Sequence, residues 1–193
     1  IVLFSAQPFT SALVMSNPEW FRYEWIWCKD QGRNFQLVKH QPLKITESIL
    51  VFYLKTAMYA PQGLVRLRKS ITKNNAGKGG NLGHLGSEEK RATYLQEFAN
   101  YPVNIIECNS ERGLHPTQKP VDLLSYLIRT YTNKGDTVLD FCMGSGSTLV
   151  ACIEEGRNGI GIERDAGYFE IAKKSIEQEQ SKPRTMRMEP APP

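Results

Sequence analysis

The run from Asp136 to Asp165 constrains the fold more tightly than any other part of this chain. It reads Asp136-Thr-Val-Leu-Asp-Phe-Cys-Met-Gly-Ser-Gly-Ser-Thr148, then an apolar helical stretch to Gly156, then Arg-Asn-Gly-Ile-Gly-Ile-Glu-Arg-Asp165. Val138 and Leu139 predict a short buried strand, and Gly159 to Ile162 a second one that ends at an acid. Strand, glycine turn, helix and strand make a unit that places ligands at the carboxyl ends of its strands. Gly144 and Gly146 let the backbone turn tightly and approach a ligand. The helix starting near Ser147 directs unpaired N–H groups into the same space. Asp140 ends the first strand beside Phe141 and Cys142, with Ser145 between the two glycines. Glu163 closes the second strand, where a carboxylate can accept hydrogen bonds from two ribose hydroxyls. A nucleoside suits this arrangement. The bland alternative is a tight turn with no ligand, and Leu149 stands where a full dinucleotide pattern has its third glycine.

At 193 residues the chain has room for one domain, or one domain with a small insertion. A net charge of +4 and a pI near 8.8 are compatible with a polyanionic partner without requiring one. Cys28, Cys108, Cys142 and Cys152 lack paired metal-ligand spacing, so no metal is expected, and reduced thiols imply a cytoplasmic setting. No run is long and apolar enough to span a membrane, so no membrane partner is expected.

Ile1–Phe4 reads as a buried strand, Ser11–Asn17 as a helix, and Arg22–Lys29 and Glu47–Lys55 as strands. Gln31 to Ile45 is polar and contains Gly and Pro, which predicts a loop or lid. From Thr56 to Gly113 the chain becomes basic and glycine-rich, as a flexible insertion would be. Tyr94–Phe98 predicts a short helix and Val103–Glu107 a strand. Leu123, Leu124, Leu127, Ile128 and Tyr131 share helical spacing over Val121–Tyr131, with Asn133-Lys-Gly135 as the expected C-cap. Ala166–Glu179 predicts a last helix, and residues 181–193 a disordered tail. Trp20, Trp25 and Trp27 read as core rather than base-stacking residues. Cys142 reads as a small apolar filler rather than a nucleophile.

His115-Pro-Thr-Gln-Lys-Pro120 precedes the helix at Val121, and Asp140-Phe-Cys-Met-Gly-Ser-Gly-Ser147 follows it. In that order and spacing the two segments resemble the amino-methylating DNA methyltransferases, in the group whose cofactor motifs follow the catalytic motif. The resemblance covers Ile1 to about Ile176. It implies an α/β, Rossmann-like methyltransferase sheet with an antiparallel edge, incomplete at the N-terminus, carrying a basic insertion. The edge would be formed by Trp25–Trp27 and Ile49–Tyr53. The implied organisation is 1–55 as part of the catalytic half, 56–113 as target recognition, 114–180 as the S-adenosylmethionine-binding half and 181–193 as tail.

The resemblance also implies S-adenosylmethionine as cofactor and double-stranded DNA as substrate, with methyl transfer to adenine N6 or, second, cytosine N4, in a restriction–modification setting. The implied cofactor contacts are His115, Thr117, Lys119, Asp140, Phe141, Cys142, Gly144, Ser145, Gly146, Ser147, Glu163, Arg164 and Asp165. Lys119 suits the methionine carboxylate, and a cation at a helix start is otherwise poorly placed. His115 is equally a turn residue, and Asp165 equally a helix cap. Arg66, Arg68, Lys69, Lys73, Lys78 and Arg91 are the implied DNA contacts, through phosphate neutralisation.

One family element is missing. No Pro-Pro-Tyr-like catalytic segment occurs, and Asn17-Pro18-Glu19-Trp20 has the wrong order. No catalytic residue is therefore assigned. The expectation is a fragment with its catalytic loop and two central strands upstream of Ile1, inactive by itself. A non-catalytic cofactor- or DNA-binding module is the rival from another class, and a nicotinamide dehydrogenase a third reading.

Overall fold

Ile49, Leu50, Val51 and Phe52 form an uninterrupted apolar run, and all four are buried. A strand covered on both faces has no need to alternate. That run ends β3 (Lys44–Phe52), which lies between β1 (Val2–Ser5) and β2 (Phe21–Arg33) in a four-stranded sheet of order β1-β3-β2-β6, with β6 at Ile105–Glu107. The computed structural model describes residues 1–74, 93–111 and 118–183. These fall into two compact units, the first made of 1–60, 103–111 and 118–183, the second of 61–74 and 93–102.

In the first unit, β3 runs antiparallel to both neighbours, pairing Val2 with Val51 and Trp25 with Ile49. β6 runs parallel to β2, with Ile26 opposite Ile105. The sheet edge is therefore β6, and the expected edge pair, β2 and β3, lies inside it. A separate parallel pair joins β7 (Thr137–Asp140) to β8 (Asn158–Gly161), with Asp140 opposite Gly161.

Helix α2 (Val121–Tyr131) links these sheets because it is apolar on two faces. Leu123 and Leu127 pack with Trp25, Trp27, Ile49 and Val51. Leu124 and Ile128 pack with Ala151 and Cys152 of α3 (Ser147–Glu154). The tryptophans are core, and their N–H groups are satisfied: Trp25 donates to the Tyr131 hydroxyl at 2.6 Å and Trp27 to the Cys108 carbonyl at 2.7 Å. α1 (Phe9–Ser16) follows β1, and α4 (Ala166–Ser181) closes the chain's described part.

Several elements differ from the sequence expectation. Tyr94–Phe98 is strand: β5 (Thr93–Ala99) pairs antiparallel with β4 (Val65–Asn74) in the second unit. Leu-Gln-Glu favours a helix locally, but pairing with a distant strand overrides so short a preference. The described part of the basic insertion is thus a two-stranded ladder, with a register shift between Arg66 and Ile71. The loop expected over 31–45 is mostly hairpin. β2 and β3 extend until Arg33 pairs with Lys44, leaving a 3-10 turn at Phe35–Leu37 as its tip. Gly135 does not cap α2. The cap is Thr132, whose carbonyl accepts from Arg157 Nη2 at 2.8 Å, while Gly135 donates to Gly156. An arginine from beyond α3 supplies what the local glycine was expected to supply. Among the described residues no helix is long and apolar enough to cross a membrane.

Candidate functional site

The turn after β7 is built from its own polar groups. Asp140 Oδ2 accepts from the Thr148 hydroxyl at 2.6 Å, and Oδ1 from the Cys142 N–H at 3.1 Å. The carboxylate clamps the last strand residue to the first turn of α3. Gly146 is the N-cap of that helix at φ 82°, a left-handed conformation that L side chains disfavour. A methyl group there would also sit 3.0 Å from the Ala172 Cβ on α4. In β8, a side chain at Gly161 would collide with the Met143 sulfur, so glycine lets the turn lie against the strand.

Glu163 follows β8 and meets the same turn. Its Oε2 accepts from the Gly144 N–H at 2.9 Å and its Oε1 from the Asp165 N–H at 2.9 Å. These N–H groups, Asp165 first and Gly144 second, hold its carboxyl below the usual carboxylate range. The strand end is tied down as well: Ile162 donates to the Asp140 carbonyl at 2.8 Å, and Met143 to the Ile162 carbonyl at 3.0 Å.

The Lys119 side reaches the turn through its neighbour. Ser145 Oγ donates to Gln118 Oε1 at 3.2 Å, and Gln118 Nε2 donates to Glu111 at 3.3 Å. Lys119 itself lies 3.1 Å from Glu47 Oε1 and 5.1 Å from the Phe4 ring centroid. A cavity of about 700 Å³ is bounded by Phe4, Glu47, Gln118, Lys119 and the turn from Asp140 to Ser145, with Leu124 and Ile128 of α2 also lining it. That volume suits a small-molecule ligand.

Of the residues singled out in the sequence, Lys119, Asp140, Phe141, Cys142, Gly144, Ser145 and Ser147 line this cavity. Glu163 does not line it, but is bonded to Gly144, which does. Gly146 caps α3, Arg164 is exposed, and Asp165 caps α4 by accepting from Tyr168 N–H at 2.9 Å. Cys142 is exposed rather than a core filler, because the chain has already left the strand. Burial of the sulfur and the Asp140 charge push its thiol pKa up, which opposes a nucleophilic role. His115 and Thr117 lie outside the described residues. Arg66, Arg68 and Lys69 are exposed on β4; Lys73 is on β4 with its side chain outside the description, and Lys78 and Arg91 lie outside the described residues. Asn17 and Trp20 close a turn after α1, Trp20 N–H donating to Asn17 Oδ1 at 3.2 Å, so they make no catalytic loop. Glu47 and Gln118 are the residues sequence reasoning missed. Glu47 lies between Thr46 and Ser48 with no local motif, and its partners are distant in the chain. Among the described residues no cluster of three or more acids, histidines and cysteines is placed to hold a metal.

A family model described as DNA methylase, for the N6/N4 group, matches residues 5–174. The chain belongs to the N6/N4 DNA methylase family. Its relatives include the type II methyltransferase M.HpaI of Haemophilus parainfluenzae, 43% identical over 84 residues, which are 40% of this chain and 27% of that protein. The type II methyltransferase M.BglI of Bacillus subtilis is 48% identical over 63 residues, 33% of this chain and 18% of that protein. The matched stretches thus span under a third of either relative. Among solved structures, the M1.HpyAVI–SAM complex superposes with a TM-score of 0.59 at 26% identity, over 90% of this chain and 72% of that one. The Rossmann-like α/β architecture agrees with these likenesses.

Proposed function

We propose that this chain is the cofactor-binding and target-contacting part of a DNA methyltransferase that moves a methyl group from S-adenosylmethionine to an exocyclic amine, adenine N6. The observation that carries the reading is the meeting of Glu163, the Gly144 turn and the Lys119 segment through direct hydrogen bonds and one shared cavity. The residues fit the cofactor. Glu163 is fixed by two backbone N–H groups, and an ionised carboxylate has further lone pairs for ribose hydroxyls. Lys119 presents a cation at the cavity wall for the amino-acid carboxylate. Leu124 and Ile128 give that cavity an apolar side. When bound, the cofactor supplies an electrophilic methyl group on sulfonium.

What this chain's own residues do is bind and orient. Asp140 and Thr148 hold the glycine turn, and Gly144 brings backbone close to the ligand. Arg66, Arg68 and Lys69, exposed on β4, are assigned to DNA phosphates, with double-stranded DNA as partner and the cytoplasm as location. The target amine must leave the base stack to be reached. The chain has no Pro-Pro-Tyr-like segment to receive that amine, so we assign it binding without transfer.

The test has two arms. Incubated with DNA and labelled cofactor, this chain is expected to transfer nothing above background, and transfer would refute the division of labour. Joined to a segment that carries the motif, it is expected to yield N6-methyladenine in digested DNA by mass spectrometry. N4-methylcytosine there would move the assignment to the other amine.

A further inference from the structure

Glu47 sits on β3 opposite Trp27, and its carboxylate is only 15% exposed. Its Oε2 accepts from Lys29 Nζ at 2.8 Å, and its Oε1 is 3.1 Å from Lys119 Nζ. Each ammonium also lies over an aromatic face. Lys29 is 4.4 Å from the Trp27 ring centroid and Lys119 is 5.1 Å from that of Phe4. Those two rings meet edge to face at 6.4 Å. Charge, cation–π contact and ring packing therefore agree on one position for the Lys119 head.

Stability alone gives no reason for this cluster. Largely desolvated ion pairs gain little over apolar side chains of similar size. Two ammonium groups against one carboxylate also leave a positive charge in surplus, at the wall of a cavity that Glu47 and Lys119 both line. Burial pushes the Glu47 carboxyl up, but the hydrogen bond from Lys29 and the charges of Lys119 and Lys29 outweigh it and leave it lowered.

We propose that Glu47 is a positioning residue: it holds the Lys119 ammonium at the cavity wall, so that a ligand carboxylate meets a cation already oriented. The proposal rests on the reading that S-adenosylmethionine occupies this cavity, and identifies what prepares its amino-acid end.

Calorimetry with two ligands isolates the effect. S-adenosylhomocysteine has the amino-acid end, whereas methylthioadenosine keeps the nucleoside and sulfur without it. Freeing a long side chain that must be ordered again on binding predicts that Glu47→Gln weakens S-adenosylhomocysteine by roughly fivefold. Methylthioadenosine should be unaffected, and Glu47→Asp should fall between wild type and Gln. A merely electrostatic neighbour would act in the opposite sense, since removing an acid beside the ligand carboxylate tightens binding. Unchanged or tighter S-adenosylhomocysteine binding overturns the proposal, and so does equal weakening of both ligands. Should wild type bind neither compound, the cofactor reading itself has failed. Lysine-ammonium NMR of the unliganded chain then tests the positioning separately. A Lys119 signal slowed in exchange in wild type and lost in Glu47→Gln supports it; identical signals overturn it.

Discussion

Substituting Gly146 by Ala attacks the turn in two ways that can be separated. The residue caps α3 at φ 82°, and left-handed backbone costs an L residue about 1–2 kcal/mol. The new methyl would lie 3.0 Å from Ala172 Cβ and 3.2 Å from its Cα, in a place with no exposed surface to yield into. Overpacking of that kind costs about 1–3 kcal/mol. Together Gly146→Ala should lose roughly 2–5 kcal/mol, a large part of the ~5–15 kcal/mol typical of a folded domain. Urea unfolding followed by tryptophan fluorescence would report it, since Trp25 and Trp27 are buried in the same unit. Ala172→Gly in the same chain removes the steric part and leaves the backbone part. The double mutant should therefore be about 1–3 kcal/mol more stable than the sum of the single effects. A loss below about 1 kcal/mol for Gly146→Ala, or strict additivity with Ala172→Gly, would refute this account of the turn.

Other consequences follow from single contacts. Tyr131→Phe removes the oxygen that accepts from Trp25 and bonds with Tyr23, so a buried indole N–H is orphaned; urea melts should show a loss of about 1–3 kcal/mol. The Glu163 carboxyl has a lowered pKa in the folded state, so its stabilisation is complete above the ordinary carboxylate pKa and disappears as pH falls through the folded value. The stability gap between wild type and Glu163→Gln, measured by thermal melts, should shrink on acidification below pH ~4 and stay level above pH ~6. Arg66→Ala, Arg68→Ala and Lys69→Ala should each weaken DNA binding alike on unrelated sequences and lower the salt slope by about 0.9 per lost phosphate contact, read by fluorescence anisotropy.

The parts of this molecule legible in the sequence are those whose signal is local and reinforced by packing. α2 runs from Val121 to Tyr131 as expected because Leu123, Leu124, Leu127 and Ile128 set the helical period and also serve as its two buried faces. The unit β7–α3–β8 was visible through its glycines, each demanded by a backbone angle or a close contact. β5 was not, because what makes it a strand is β4, far away in the chain. Asp140 looked like a ligand contact, yet both its oxygens already hold the turn, through a threonine one helical turn onward. Glu47 was invisible for a deeper reason. Nothing around it forms a motif, and only the folded chain brings Lys29 and Lys119 to its two oxygens.

The central claim is that one nucleoside spans the Glu163–Gly144 turn and the Lys119 wall. A crystal structure of this chain with S-adenosylhomocysteine tests it most directly. The account predicts ribose hydroxyls within hydrogen-bonding distance of Glu163 and the amino-acid carboxylate beside Lys119. Ligand density elsewhere, with both side chains untouched, would contradict it.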